Sequence, residues 1–234
     1  MSAIYKRELR GYFTNPIGYV FIAVLLFFEG MQFYTVLANG SSAYFTTIYG
    51  SIFTWCMMLI PVLTMRLLSE DKKQKTDQAL LTAPVSLGGL VFGKFLAAFT
   101  VYAIVILFTL IPAFIISFLA VPAWGEIFGN ILGSLLYGGA MIAIGLFISS
   151  LTDSQMIAAV ASFAVSILLI VFSQIASLFG SAWITSLVSN LSFYERYYSF
   201  TTGVCDFSSV VFFLSVIGVF NYLAVTMLEK RRWS

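Results

Sequence analysis

The charged side chains of this sequence are scarce and gather in one place. Only 9% of the 234 residues are charged and 60% are hydrophobic, yet six charged residues lie between Arg66 and Lys75. They belong to the stretch MRLLSEDKKQKTDQALLTAPV, residues 65–85. In so apolar a chain, a cluster of this kind is typical of a solvated element that contacts a polar partner.

Most catalytic and metal-binding chemistry is excluded by the residue types. The sequence has no histidine, no phosphate-binding GxxxxGK[ST] run and no GxSxG run. It therefore predicts no Ser–His–Asp triad, no Cys/His metal site and no nucleotide hydrolysis by this chain itself. Cys56 and Cys205 are expected at different depths of the molecule, so we predict two free thiols.

One carboxylate lies inside an otherwise apolar segment. Glu29, in LLFFEGMQFY, is midway along the first such segment, and Gln32 follows on the same helical face. Gln174 is a second polar group deep in a later segment. An ionisable residue at bilayer depth is costly and indicates a function by default. Glu29 fits contact with a substrate or a polar cavity, and it also fits a protonated side chain that pins two helices together.

The segments that must position these groups are long enough to cross a bilayer. The mean hydropathy is +0.98, and a spanning helix needs about 20 mostly apolar residues. Glu29 is the single charged residue in the windows that qualify. These windows are 17–38, 44–65, 95–119, 127–149, 155–179 and 207–228. We predict an all-α polytopic membrane protein with one domain, 1–234.

The basic residues predict how the chain is oriented. In a six-span chain, eleven of the twelve Lys and Arg residues fall on the side that holds both termini and the 66–94 connection. Only Arg196 falls on the other side. By the positive-inside rule, we predict that the termini and the charge-rich stretch are cytoplasmic. The first sixteen residues are charged and interrupted by Pro16, so we expect no cleavable signal peptide.

Shorter elements flank the spans. Residues 2–14 predict an interfacial helix that either anchors the chain or contacts a partner. Its apolar residues are expected to face lipid: Ile4, Leu9, Tyr12 and Phe13. Residues 69–83 predict a short cytoplasmic helix that starts with Ser69 or Thr76 as its cap. Residues 180–206 form the longest external segment, and their aromatic, nearly uncharged composition favours short interfacial or re-entrant helices.

The fourth span is rich in small residues. Gly129, Gly133, Gly145 and Ser149 share a four-residue register. Small residues let helices approach closely in lipid, either within one subunit or along a dimer seam. Ser86 is placed to cap the start of the third span.

Three stretches resemble a known family. They read YKRELRGYFTNPIGYV (5–20), PVLTMRLLSEDKKQKTDQALLTAPVSLGGLVFGKFLAA (61–98) and FFLSVIGVFNYLAVTMLEKRRW (212–233). Together they are similar to the ABC-2 type transporter permeases, and most closely to the gliding-motility-type branch of that family. The similarity runs in order along nearly the whole chain.

The resemblance implies an architecture and a set of partners. Such permeases have an N-terminal interfacial helix, six transmembrane helices and re-entrant helices before the sixth, and they pair as homodimers or heterodimers. Two cytoplasmic ABC ATPase subunits, which bind ATP and Mg²⁺, dock beneath them, whereas the permease itself binds no cofactor. The helix between spans 2 and 3 is the coupling helix, seated in a groove on the ATPase. The residues assigned to coupling are Ser69, Glu70, Asp71, Lys72, Lys73, Lys75, Thr76, Asp77, Gln78, Leu80 and Leu81.

This sequence departs from the family pattern inside that motif. Members often carry glycine where Lys75 stands and glutamate where Gln78 stands, and Asp77 supplies a carboxylate one position early. The serine–glutamate capping box near the third span is reduced here to Ser86 and Gly89. These departures concern the ion pairs to the ATPase, and they fit a divergent partner or the less active half of a heterodimer.

The resemblance further implies a non-catalytic subunit of the bacterial inner membrane that exports cargo by alternating access. Spans 1, 2 and 5 are then expected to line the pathway, which would be mostly apolar and aromatic and would favour an amphipathic or lipid-like cargo over a sugar or an ion. The assigned pathway residues are Glu29, Gln32, Phe33, Phe53, Met57 and Gln174.

Two other functions were weighed against export. The first is a mechanotransmission complex that moves no cargo and drives an extracytoplasmic accessory protein through 180–206. The second is an ion-coupled carrier, which would need charges or broken helices at matching positions of two halves, and the sequence has neither. Nothing indicates a nucleic-acid partner.

Overall fold

We describe the protein from a computed structural model, which covers residues 2–39, 45–76, 86–118, 124–178, 192–203 and 206–233. Only the backbone is described for residues 36, 39, 45–47, 116, 172–178 and 233. These ranges contain no strand. In chain order the helices are α1 (Ser2–Thr14), α2 (Pro16–Asn39), α3 (Phe45–Thr64), α4 (Ser69–Lys73), α5 (Leu87–Phe108), α6 (Leu110–Ser117), α7 (Trp124–Leu151), α8 (Gln155–Leu178), α9 (Phe193–Thr201) and α10 (Phe207–Trp233).

The helices are those of a polytopic membrane protein, as predicted. Five segments in the described part are long and apolar enough to cross a membrane: Pro16–Thr35, Ile48–Lys73, Leu87–Ile115, Trp124–Leu151 and Phe207–Arg232. The remaining predicted span, 155–179, corresponds to α8, whose side chains are described only as far as Val171. That part, Gln155–Val171, is a shorter apolar helix.

The third span begins earlier than predicted. α5 starts at Leu87 and not at residue 95, because the Ser86 hydroxyl accepts a hydrogen bond from the Gly89 main-chain N–H at 3.3 Å and caps the helix there. Lys94 set the predicted start of the apolar window at residue 95, but this lysine is buried within the helix. A charged residue therefore marked a border that the helix does not have.

The predicted helix 69–83 is interrupted. α4 ends at Lys73, and two residues later Lys75 takes a left-handed φ of +56°. That conformation stops a helix and is easiest for glycine, which the resembled permeases often carry at this position. Residues 77–83 lie outside the described part of the chain.

α7 is the central helix of the bundle. It packs against α3, α5, α8, α9 and α10, and most of its residues are buried inside the molecule. The spaces above its small residues are filled by the same chain: Phe200 lies over Gly133, Tyr102 over Gly138 and Thr64 over Gly145. Of the two readings of the small-residue stripe, packing within one subunit is the one observed at these positions.

α2 and α10 lie at the periphery. Few residues of either helix are buried, and their outer faces carry exposed apolar residues such as Phe27, Tyr34 and Tyr222. A water-soluble helix would place polar side chains there, whereas lipid accepts these rings directly. α1 differs from its predicted placement, because Ile4 and Tyr12, which were expected to face lipid, are buried against the protein.

Candidate functional site: a charged network around α4

α4 lies at the end of the bundle where both ends of the chain meet. α1 contacts it there through an ion pair between Arg7 and Asp71, and the last turns of α10 reach the neighbouring α7–α8 connection through Arg231 and Asp153. We call this end the terminus-bearing face and the other end the opposite face. The α4 network is the set of charged residues that surrounds α4: Arg7, Glu8, Arg66, Glu70, Asp71, Lys72, Lys94, Asp153 and Arg231.

The start of α4 is capped by the end of α7. The main-chain N–H groups of Leu68 and Ser69 both donate to the Ser149 hydroxyl, each at 3.1 Å. The same hydroxyl donates to the Met65 carbonyl at 3.2 Å. No side chain next to α4 in the sequence caps its start. Ser149, on α7, supplies the hydrogen-bond acceptor that an N-cap residue normally supplies. The connection between α3 and α4 is therefore fixed to the central helix.

A neutral group of four charges joins α4 to α1 and α5. The Lys94 ammonium group lies 2.7 Å from an Asp71 carboxylate oxygen and 3.0 Å from Glu8, and Arg7 lies 2.6 Å from the same Glu8 oxygen. Lys94 is only 1% exposed. Burying an ammonium group is costly unless carboxylates or hydrogen bonds compensate its charge. Glu8 and Asp71 supply that compensation.

On its other side, α4 is held to the α7–α8 connection. The Lys72 ammonium group is buried, donates to the Ser150 carbonyl and lies 3.6 Å from Asp153. Asp153 also accepts a hydrogen bond from Arg231 at 2.9 Å. That hydrogen bond, together with the positive charges of Arg231 and Lys72, lowers the pKa of the Asp153 carboxyl below its ordinary value. The α7–α8 connection thereby links four helices: α4, α7, α8 and α10.

A fourth contact ties the α3–α4 connection to α1. Arg66 pairs with Glu70 at 3.1 Å and lies 5.3 Å above the centre of the Tyr12 ring. The Tyr12 hydroxyl donates to the Leu63 carbonyl at 2.8 Å. Burial raises the pKa of Tyr12 above its ordinary value, so the phenol stays protonated and remains a hydrogen-bond donor.

The surface that remains available to a partner is the tip that follows α4. Lys73, Gln74, Lys75 and Thr76 are exposed, and the two lysines have no ion pair within the described part of the chain. Thr76 donates back to Asp71, which holds the tip near the network. We call residues 73–76 the basic tip.

The residues assigned to coupling thus divide into three groups. Ser69 and Lys72 are buried against this chain's own helices, and Glu70 and Asp71 are half-buried in intramolecular ion pairs. The exposed residues are Lys73, Lys75 and Thr76. Outside the described residues lie Asp77, Gln78, Leu80 and Leu81. Their contact with an ATPase stays a prediction.

The predicted pathway residues whose side chains are described line neither of the described cavities. Phe53 and Met57 are buried, and Phe53 stacks on Tyr137 with ring centres 4.6 Å apart. Glu29 is 7% exposed, and its Oε1 atom has no hydrogen-bond partner among the described residues. Gln32 and Phe33 are half-buried on the same helix. The side chain of Gln174 is outside the described part, and the role of all six stays a prediction.

Sequence reasoning missed three residues that hold the site together. Lys94 was counted as part of a loop, Glu8 was not assigned, and Ser149 was read only as a small residue. A signal did exist for Lys94, because it lies on one helical stripe with the buried Leu90, Ala98 and Val101 and was bound to be buried with them. Ser149 gave no such signal, because its partners lie about eighty positions away.

Fold and site together define a polytopic, all-helical integral membrane protein that carries a charged network and a basic tip at one end. The family model for "ABC-2 family transporter protein" matches residues 2–228, so the chain belongs to that family. A comparison with curated proteins found no match. Membership makes the chain a membrane component of a transporter, in a family whose permeases are generally non-catalytic and work with ABC ATPase subunits.

Proposed function

We propose that this chain is the permease subunit of an ABC exporter of the bacterial inner membrane. Two permease chains, identical or paired with a paralogue, form a complex with two cytoplasmic ATPase subunits, which carry the ATP and Mg²⁺. ATP hydrolysis in those subunits drives alternating access of a pathway between the permeases. The terminus-bearing face is the cytoplasmic one.

The attachment of α4 carries this proposal. The basic tip is exposed, while the residues just before it are fixed to α1, α5, α7 and the α7–α8 connection. Packed elements that are joined in this way move together and not independently. A displacement imposed on the tip by a partner is therefore transmitted to several helices of the bundle.

The cargo class follows from the residues expected along the pathway. Phe33, Phe53 and Met57 are apolar, and Glu29 is the one carboxylate within the apolar windows of the sequence. A pathway of this composition favours an amphipathic or lipid-like molecule, because a sugar or an inorganic ion would need many polar partners to replace its hydration.

The test is recovery of the ATPase with the tagged chain. The chain is purified from its native membrane in a mild detergent, and the proteins that accompany it are identified by mass spectrometry. We expect a soluble P-loop ATPase with the unmodified chain, and a loss of about ten-fold or more with the charge-reversed tip, Lys73→Glu and Lys75→Glu.

The matched control is Lys230→Glu with Arg232→Glu, which reverses two exposed charges at the same face but outside the tip. An equal loss in both variants would show that only the overall positive charge matters. It would contradict binding of the ATPase at the basic tip. Failure of the unmodified chain to recover any ATPase, under conditions that preserve another ABC complex, would overturn the proposed function.

A further inference from the structure

A cavity of about 290 Å³ lies at the opposite face, between the first turn of α7, the outer part of α3 and the helix α9. Three tyrosines of α9 line it, together with Glu126 of α7 and the hydroxyl-bearing residues Thr201 and Thr202. Its volume is close to the lower limit of ordinary small-molecule sites. None of the predicted pathway residues whose side chains are described lines it, and the function proposed above does not require it.

The tyrosines form a fixed aromatic wall. Tyr194 and Tyr198 are one turn apart, and their rings stack with centres 6.1 Å apart and an interplanar angle of 23°. Tyr194 also meets the buried Phe53 edge to face at 5.5 Å. Tyr197 is 1% exposed, and its hydroxyl donates to the Tyr49 carbonyl at 2.7 Å, with the Ser134 hydroxyl 3.0 Å away. The helix that presents the aromatic faces is thus anchored to both α3 and α7.

Glu126 supplies a negative charge beside this wall. Its carboxylate has no ion pair within the described part of the chain. The stem of Glu126 packs closely against Gly203, whose φ is +77°. A Cβ atom at that position would lie only 2.8 Å from the Glu126 Cγ atom. By contrast, Asp206 at the same face lies 3.7 Å from Arg196.

The remaining lining offers acceptors and few donors. The Thr201 hydroxyl donates to the Tyr198 carbonyl at 2.8 Å, and the Thr202 hydroxyl donates to the Ser199 carbonyl at 2.9 Å, so both protons are already used. Among the described residues that line the cavity there is no lysine or arginine. An anionic ligand would therefore meet a carboxylate and aromatic faces that repel it, and the exposed hydroxyls of Tyr194 and Tyr198 would be its remaining donors.

Aromatic faces beside one carboxylate match an organic cation. A quaternary or alkylated ammonium group is attracted by the negative faces of tyrosine rings and needs no hydrogen-bond donors from the protein. A divalent metal ion fits poorly, because Ca²⁺ and Mg²⁺ take about six or more oxygen ligands and a single carboxylate is present. We propose that this cavity binds the ammonium group of an organic cation, with Glu126 as the counter-charge and Tyr194 and Tyr198 as the aromatic wall.

The opposite face as a whole favours the approach of such a ligand. Four charged residues of the sequence lie in the segments on this side of the bundle: Glu126, Glu195, Arg196 and Asp206, with a net charge of −2 from three acids and one base. A face of one sign raises the local concentration of ions of the other sign. Burial raises the pKa of Tyr197 above its ordinary value, so this part of the wall stays neutral.

The test is calorimetric titration of the purified full-length chain in a maltoside detergent, which has no ammonium group of its own. The probes are choline and its neutral isostere, in which a quaternary carbon replaces the nitrogen. We expect saturable choline binding with a Kd of about a millimolar and no measurable binding of the isostere. Binding is expected to weaken about ten-fold in Glu126→Gln and about three-fold or more in Tyr198→Ala, but not in Tyr198→Phe.

The matched control is Glu195→Gln, which removes a charge from the same face at a residue outside the cavity lining. The proposal is overturned if Glu126→Gln and Glu195→Gln weaken choline equally, if the isostere binds as well as choline, or if the unmodified chain shows no saturable binding. Tighter binding of hexyltrimethylammonium than of choline would identify the ligand as an amphiphile, and equal binding would identify it as a small solute. Both results support the site. Because this measurement needs no ATPase, its failure is separable from failure of the proposed function.

Discussion

The two ends of α7 hold their neighbours by different physical means. At the C-terminal end, Ser149 and Ser150 hold α4 within a network of ion pairs. At the N-terminal half, Gly133 and Ser134 hold α9 through ring packing and a tyrosine hydroxyl. One helix thus joins a charged attachment at the terminus-bearing face to an aromatic attachment at the opposite face.

The contrast shows how each attachment responds to its surroundings. Ion pairs that are partly exposed weaken in salt and can exchange one partner for another. Buried aromatic contacts and neutral hydrogen bonds are insensitive to salt and depend on close packing. We therefore expect the terminus-bearing face to yield to a partner that brings its own charges, while the opposite face stays rigid.

The largest loss in the free energy of unfolding is expected from Lys94→Met. The substitution keeps an apolar stem but leaves Glu8 and Asp71 without the ammonium group between them. Removal of one member of a buried ion pair costs about 3–5 kcal/mol, because the remaining charge stays desolvated. The measurement is the free energy of unfolding in mixed detergent–SDS micelles.

Two further variants sharpen this prediction. Arg7→Met removes a side chain of the same group that is 48% exposed, so its cost should stay below about 1 kcal/mol. Asp71→Asn, added to Lys94→Met, removes the carboxylate that would keep only Arg7, at 3.7 Å, as an ion-pair partner, and should restore part of the lost stability. If Lys94→Met proves as mild as Arg7→Met, the buried lysine is not compensated in the way described.

Lys94 also shows where prediction from the sequence stops. Apolar windows and the distribution of basic residues were sufficient for the helical class, for most spans and for the grouping of the basic clusters at one face. The same reasoning treated every lysine as a marker of the membrane border. The stripe of Leu90, Ala98 and Val101 indicates that Lys94 is buried, but its partners Glu8 and Asp71 reach it from other helices and leave no periodic signal.

The small residues of α7 show a second limit. Their register predicted close helix packing, and the packing is found at Gly133, Gly138 and Gly145. The partners could not be named, because Phe200, Tyr102 and Thr64 come from three different helices. The bond from Tyr197 to Tyr49 spans 148 positions of the chain and lies equally beyond local patterns.

The next effect in size is expected at the opposite face, from Tyr197→Phe. This change keeps the ring contact with Tyr137 but removes the hydroxyl that bonds to the Tyr49 carbonyl and Ser134. A buried hydrogen-bonding group left without its partner costs about 1–3 kcal/mol. The measurement is again the free energy of unfolding, taken at low and at high salt.

The control is Tyr198→Phe, whose ring is 54% exposed and whose hydroxyl has no bond among the described contacts. It should change stability by only a few tenths of a kcal/mol, about the range of surface substitutions. The loss in Tyr197→Phe should be the same at both salt concentrations. A strong salt dependence would contradict the division between a charged and an aromatic attachment.

A smaller effect is expected from Ser149→Ala. The substitution leaves the N–H groups of Leu68 and Ser69 without their acceptor, and loss of a helix cap costs about 0.5–2 kcal/mol. The loss should be local, so we expect faster amide hydrogen exchange in residues 65–73 by mass spectrometry. The neighbouring variant Ser150→Ala removes only a hydroxyl bond to the Phe147 carbonyl within α7, and exchange in 65–73 should be unchanged. Equal exchange in both variants would show that α4 does not depend on the α7 cap.

The smallest effect is expected from Asp153→Asn. Because the pKa of this carboxyl is lowered in the folded protein, its ion pairs contribute stability above the unfolded pKa of about 3.9, and that contribution is lost as the pH falls through the folded value. The side chain is 65% exposed, so the contribution at neutral pH should be only a few tenths of a kcal/mol. Thermal melts of both proteins should therefore differ slightly at pH about 7 and converge as the pH falls through the folded pKa of Asp153, or in about 1 M salt. A difference that persists at low pH would mean that Asp153 acts through packing and not through its charge. Asp153 and Arg231 would then not belong to the charged attachment of α4.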